Sequence, residues 1–402
     1  MKKIIALALV LVMVLSLCVG CGKKAEKMTL KVWGPNEDQA TAESFLPVAC
    51  AKFNEAHPEW DIEFVFEVCA EGDAGNMVTK DPTVAGDVYM FANDQLGTLL
   101  QANAIARLGG AALEQVKADN SETMVASVTS GDGVYGVPFT GNTWFMYYDA
   151  SVYTAEDIKS LDAMMAKKPV AFEVTNAWYL PAFYFAAGGT LFGETGADAA
   201  AGIKFGGEAG YAATQAVLDL LANPNFKVDG DGYGNAGLKD GTVAAYFSGS
   251  WDYQGLYEAL GDKLGAVAAP TVKMGGEAKQ LKAYAGSKAV GVNPNAKNQK
   301  AAMQFAAFLA SADSQLLRFQ LRNITPAVTA LAENADVAAS IVAVAESNTM
   351  AHASVAQPTI AEMNPVWGPV GTFGTNIADG MVTADNIVES VDALDAQLNG
   401  GI

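Results

Sequence analysis

Three tryptophans in this sequence sit where the chain turns. Trp178 follows Thr175-Asn176-Ala177, Trp251 follows Ser248-Gly249-Ser250, and Trp367 follows Asn364-Pro365-Val366. Trp33 and Trp144 lie instead inside apolar, strand-like runs, and Trp60 follows the turn at Pro58. A single tryptophan is ordinarily core, because large aromatics dominate cores. Three at loop-to-helix entries form a pattern that core packing does not require. A flat indole face matches the C–H surface of a sugar ring, while neighbouring carboxylates and amides hydrogen-bond the hydroxyls. The chemistry indicated is non-covalent capture of a carbohydrate.

Covalent chemistry has little support. His57 and His352 are the only histidines, far apart and without metal-ligand neighbours, so neither a zinc site nor a histidine-based triad is indicated. No glycine-rich phosphate loop with a following lysine occurs. Gly230-Asp231-Gly232-Tyr233-Gly234-Asn235 resembles a calcium loop, but Gly241 stands where the twelfth position needs glutamate, so a surface turn is expected. Carboxylates are plentiful enough for a glycosidase pair, yet no local pattern places one. No catalytic residue, metal or cofactor is expected.

The elements that must position these side chains alternate in type. Thr29 to Trp33 predicts a strand that stops at Gly34-Pro35. Helical spacing runs through Phe45, Val48, Ala49, Lys52 and Phe53, and Asp61 to Val68 alternates polar and apolar strictly, a half-buried strand. Gly86 to Ala92 is a further strand, followed by a helix through Leu96, Leu99 and Leu100. Strand–helix alternation predicts an open, largely parallel α/β sheet, and such sheets bind ligands at the carboxyl ends of their strands. Further helices are expected near 155–166, 178–187, 209–222 and 251–260, then over Ala301 to Leu317 and Ala384 to Leu398, the last ended by Asn399-Gly400-Gly401. At 402 residues the chain is too long for one ordinary core, so two domains are expected.

The chain carries 25 basic and 44 acidic residues, a net charge of −19. That excludes nucleic acid, whose phosphates need a basic surface, and polybasic attachment to anionic lipid. Hydrophobic content of 51% excludes global disorder. Lys2-Lys3, the apolar run Ile4 to Leu17 and the exit Val19-Gly20-Cys21 read as a secretory signal ending in a lipoprotein cleavage box, with Cys18 where an aliphatic residue is more usual. Cys21 is then the lipidation site, and the protein is expected to be exported and lipid-anchored on the extracellular face of the cell membrane. Outside the cytosol, Cys50 and Cys69 suggest a disulfide worth about 3 kcal/mol; the alternative is two buried free thiols.

Six segments, taken in order, resemble the extracellular solute-binding proteins of carbohydrate ABC importers, and within them the maltose/maltodextrin-binding branch. They are Leu30–Trp33, Gly86–Asp94, Val134–Pro138, Ala186–Gly189, Ala244–Trp251 and Ile324–Pro326. The resemblance covers nearly all of 28–399. It implies a two-lobed α/β fold of the periplasmic-binding-protein type, with hinge strands and a ligand cleft between lobes. Beyond the signal peptide read at 1–20 and the polar tether at 21–27, it implies an N-terminal lobe of 28–137 plus 288–327 and a C-terminal lobe of 138–287 plus 328–402. The crossings would fall at Tyr135–Pro138, near Tyr284 to Ala289, and after Pro326.

Residue by residue, the resemblance assigns sugar stacking to Trp178, Trp251, Trp367 and Phe91, the last where tryptophan is usual. Polar ligand contacts fall to Glu37, Asp94, Gln95 and Asn142. Gln95 stands where a basic residue is typical and Asn142 where glutamate is typical, and no lysine accompanies Glu37. Because the assigned site has no Arg or Lys, neutral sugars are favoured over uronic acids or phosphates. The implied function is capture of a malto-oligosaccharide or related neutral oligosaccharide by cleft closure and delivery to ABC permease subunits, the protein acting as a monomer. The alternatives are a glycan-adhesion or sensing lipoprotein of the same fold and, more distantly, a glycoside hydrolase.

Overall fold

The computed structural model describes residues 25–400; Cys21 and the signal segment lie outside them. The first sheet is seeded by β1 (Glu26–Gly34), β2 (Trp60–Val68) and β3 (Val88–Ala92), with helix α1 (Phe45–Ala56) between the first two. β1 lies parallel to β2 along its whole length, from Glu26 opposite Trp60 to Gly34 opposite Val68, and its other edge takes β3 in parallel. β3 is buried at every position, which is why its sequence is a continuous apolar run rather than an alternation.

Next come β4 (Gly136–Asn142) and the strands of the second sheet: β5 (Phe145–Asp149), β6 (Val170–Phe172), β7 (Phe226–Val228), β8 (Ala245–Ser248) and β9 (Leu264–Val267). Their spatial order is β7-β6-β8-β5-β9, mixed parallel and antiparallel. The ten-residue β10 (Ala283–Val292) then returns to the first sheet, where its later residues pair with β3 on one edge and β4 on the other. Its first residues pair instead with β11 (Ser354–Ala356).

Two large hydrophobic clusters result. One draws on Leu30 to Phe139 and Ala289 to Ala310, the other on Trp144 to Tyr284 and Met363 to Leu398. The protein is therefore two-lobed. The chain passes between clusters along β4 and β10, which are paired. A third passage lies beside them: Thr140 bridges to Pro326, and its hydroxyl donates to the Thr325 carbonyl at 2.6 Å.

Two expectations are corrected. The helix expected over Ala301 to Leu317 is two helices, α2 (Gln299–Leu309) and α3 (Ala312–Arg322), because Ser311 caps a new start by accepting from the Ser314 amide. The suggested Cys50–Cys69 disulfide is absent: both are buried free thiols, 4% and 1% exposed, packed as small apolar side chains. Burial raises both thiols, that of Cys69 to about 11. The chain closes with α4 (Ile341–His352), α5 (Trp367–Ala378) and α6 (Ile387–Asn399).

Candidate functional site

A cavity of about 440 Å³ lies between the lobes, and the carboxyl ends of strands supply most of its wall. From the first lobe, Ala92 at the end of β3 and the turn beyond it bring Ala92, Asp94 and Gln95. From the second, the loop after β6 brings Asn176 and Trp178, the turn after β8 brings Trp251, and the start of α5 brings Trp367. Asn142, at the end of β4, and Lys288, within β10, come from the crossing strands, and Gln357 from just beyond β11.

The tryptophans divide cleanly. Trp33, Trp60 and Trp144 are buried, whereas Trp178 and Trp367 are half-buried and Trp251 is 38% exposed. The rings of Trp178 and Trp251 stand 6.0 Å apart, tilted by 39°, forming the corner of an aromatic wall. Each is fixed locally. Trp178 Nε1 donates to Gln357 Oε1 at 3.3 Å, while its backbone amide donates to Asn176 Oδ1 at 2.8 Å. The Trp251 ring folds back over Gly249, so closely that a Cβ there would push the indole out of this position.

Polar groups face this wall. Gln95 Nε2 donates to Asp94 Oδ2 at 2.7 Å, and burial raises the Asp94 carboxyl above its ordinary range against the opposing pull of that bond and of Lys288. The cavity thus offers four carboxamides, those of Gln95 and Asn176 half-exposed and those of Asn142 and Gln357 buried, with a carboxyl and an ammonium beside three indoles. It suits an uncharged, hydroxyl-rich ring with apolar faces.

Six of the eight sequence-assigned residues meet here: Trp178, Trp251, Trp367, Asp94, Gln95 and Asn142. Two do not. Phe91 is 0% exposed, because successive strand residues point to opposite faces; Ala92 reaches the cavity, while the Phe91 ring fills the space over Gly136 and lies edge-on to Tyr89. Glu37 is exposed on the turn after β1, and the neighbour that turns inward is Asp38. Asp38 is fully buried and accepts from Arg318 Nε at 3.0 Å and from Arg322 Nη1, the two guanidiniums outweighing burial and holding its carboxyl below the usual range.

Sequence reading missed Lys288, Gln357 and Asn176. Lys288 also overturns the expectation of a site free of Arg and Lys: its Nζ is 3.5 Å from Glu71 Oε2 and 4.9 Å from the centroid of the Trp251 ring. Its signal was available, since a lysine inside Ala-Tyr-Ala-Gly-Ser-Lys-Ala-Val-Gly-Val cannot be buried without a partner.

Residues 48–344 match the model of a family described as bacterial extracellular solute-binding protein. A solved structure described as "with acarbose" shares 48% identity, with a TM-score of 0.91 over 93% of this chain and 99% of that one. A galactooligosaccharide-binding protein of Bacillus subtilis strain 168 is 24% identical over 73% of this chain and 72% of its own. A maltooligosaccharide ABC transporter solute-binding lipoprotein of Streptococcus pneumoniae R6 is 26% identical over 70% and 69%.

Proposed function

The chain belongs to the bacterial extracellular solute-binding proteins, and we propose that it is the lipid-anchored receptor through which a carbohydrate ABC importer takes up malto-oligosaccharides. It is a binding component, not an enzyme. The observation that carries the ligand reading is the wall of three tryptophans facing Asp94 and Gln95 across the interlobe cavity. Trp178, Trp251 and Trp367 stack the sugar faces, while Asp94, Gln95 and Asn142 hydrogen-bond hydroxyls. A galacto-oligosaccharide is the second reading, favoured by the Bacillus subtilis relative.

A ligand touching both lobes binds the closed form more tightly than the open one, so it shifts the population toward closure. β4, β10 and the Thr325 passage are where the chain bends. The lobe boundaries at 137/138, 287/288 and 327/328 put the division within or beside these segments. Lipidation at Cys21 keeps the receptor at the extracellular face of the membrane, within reach of the permease, and the receptor works as a monomer.

The test is a calorimetric panel of malto- and galacto-oligosaccharides, with the products recovered afterwards. One-to-one binding of an α-1,4-glucan with the sugar recovered intact supports the reading. Tighter binding of galacto-oligosaccharides moves it to the second reading, and release of shorter sugars contradicts both. Small-angle scattering with saturating ligand should show a smaller radius of gyration; an unchanged one counts against closure.

A further inference from the structure

We propose that Lys288 is a sugar-contacting, specificity-determining residue of the cleft, its ammonium donating to hydroxyls of the unit stacked on Trp251. The inference rests on the reading of the cavity as an oligosaccharide site.

Backbone geometry aims the side chain. β4 and β10 pair in register up to Lys288 opposite Thr140, and the next pair is Ala289 opposite Pro138, so Phe139 is an extra residue facing this point. A bulge of this kind bends the ladder and re-aims adjacent side chains, and it recurs at functional sites. Here it coincides with the one charged residue of β10, on a strand that crosses between lobes.

Charge counting leaves the ammonium under-partnered. Asp38, Glu71, Arg318, Arg322 and Lys288 form a continuous cluster of three cations and two carboxylates. Asp38 is occupied by both arginines. Glu71 is shared, with Arg318 Nη2 and Lys288 Nζ each at 3.5 Å from one of its oxygens. Among the described residues, that long contact is the only hydrogen bond Nζ makes, although an ammonium has three donors. The surplus positive charge of this ion-paired cluster therefore sits at its cavity end, beside the most exposed of the three indoles, where the Asp94 carboxyl on the same cavity and the buried Glu346 carboxyl feel it without hydrogen-bonding Nζ. A carboxyl acceptor and an ammonium donor on one cavity are what a pair of sugar hydroxyls needs, and charge-assisted bonds are the stronger ones. The cation comes from β10 rather than from position 95, where Gln95 stands.

Contact with the Trp251 ring holds Nζ when no sugar is present; bound sugar offers oxygen acceptors in its place. Arg318 and Glu71 are then positioning residues for this ammonium.

The experiment is calorimetry of maltotriose and its monodeoxy analogues with the purified wild type and the Lys288→Met variant, each with a melting temperature. Lys288→Met should bind maltotriose about ten- to a hundred-fold more weakly, the scale of a lost hydrogen bond to a charged group. At least one deoxy analogue should be penalised with the wild type but not with Lys288→Met, a coupling that a purely structural role would not produce. If Lys288→Met fails to fold, Lys288→Arg keeps the charge and changes the donor geometry; it should retain the melting temperature and lose affinity. Equal affinity of the substituted and wild-type proteins per folded molecule, with no coupling to any hydroxyl, overturns the inference alone. A wild type that binds no oligosaccharide overturns the reading of the site and the inference with it.

Discussion

Trp144 Nε1 donates a hydrogen bond to the backbone carbonyl of Trp178 at 3.3 Å. A fully buried tryptophan of the second lobe thus holds the loop that presents a cavity tryptophan. Trp144 is itself clamped, stacked on Tyr179 at 5.4 Å and edge-on to Phe172 and Phe247. The Trp144→Phe variant keeps an apolar ring and removes the donor. It should fold, lose about 1–3 kcal/mol in a denaturant melt, and bind its sugar a few-fold more weakly. Unchanged affinity would show that Gln357 and Asn176 alone fix the loop.

Glu346 on α4 packs against Gly141 of β4, beside Thr325 and near Lys288, so the three passages between lobes meet at one buried carboxyl. Burial raises its pKa to about 7, against the pull of Thr325 and Lys288. The folded state therefore holds this proton more tightly than the unfolded state does. Its stabilisation is complete below the ordinary glutamate range and is lost as pH rises through about 7. Glu346→Gln should flatten the decline in stability between about pH 4.5 and 7, by up to about 3 kcal/mol. Melting temperatures of both proteins across that window check it; parallel curves would contradict it.

Arg318 is 2% exposed and Asp38 0%. Arg318→Met strips Asp38 of one of its two guanidinium partners and leaves it Arg322 alone, and breaking a buried pair typically costs about 3–5 kcal/mol. Arg318→Met should destabilise on that scale in urea, and adding Asp38→Asn should restore part of the loss. A double variant whose loss equals the sum of the losses of Arg318→Met and Asp38→Asn measured singly would show that the two side chains are not coupled.

Most of the architecture was legible because it is local. The alternation from Asp61 to Val68 is a strand, and the Gly-rich turn before Trp251 is a loop that delivers a ring. Within the site, what was legible followed from turn chemistry, which is why all three turn-borne tryptophans reach the cavity. What was not legible depends on parity and long-range pairing. Phe91 and Ala92 differ by one position, and only the sheet decides which face is core. Glu37 and Asp38 differ likewise, and the choice is made by Arg318, 280 positions from Asp38. That Lys288 needs a partner could be read from its apolar strand, but that it reaches the cavity depends on the bulge at Phe139, which no short window contains.

In the proposed function Trp251 is a platform for sugar, whereas Trp144 is a buried core residue. Titration and melting of Trp251→Ala and Trp144→Ala with the preferred oligosaccharide test it most directly. Trp251→Ala should melt near the wild type and lose about 1–3 kcal/mol of affinity, the scale known for stacking on an aromatic in a groove. Trp144→Ala should lose about 3–5 kcal/mol of stability. Equal destabilisation of the two, with binding per folded molecule intact in Trp251→Ala, would contradict the account.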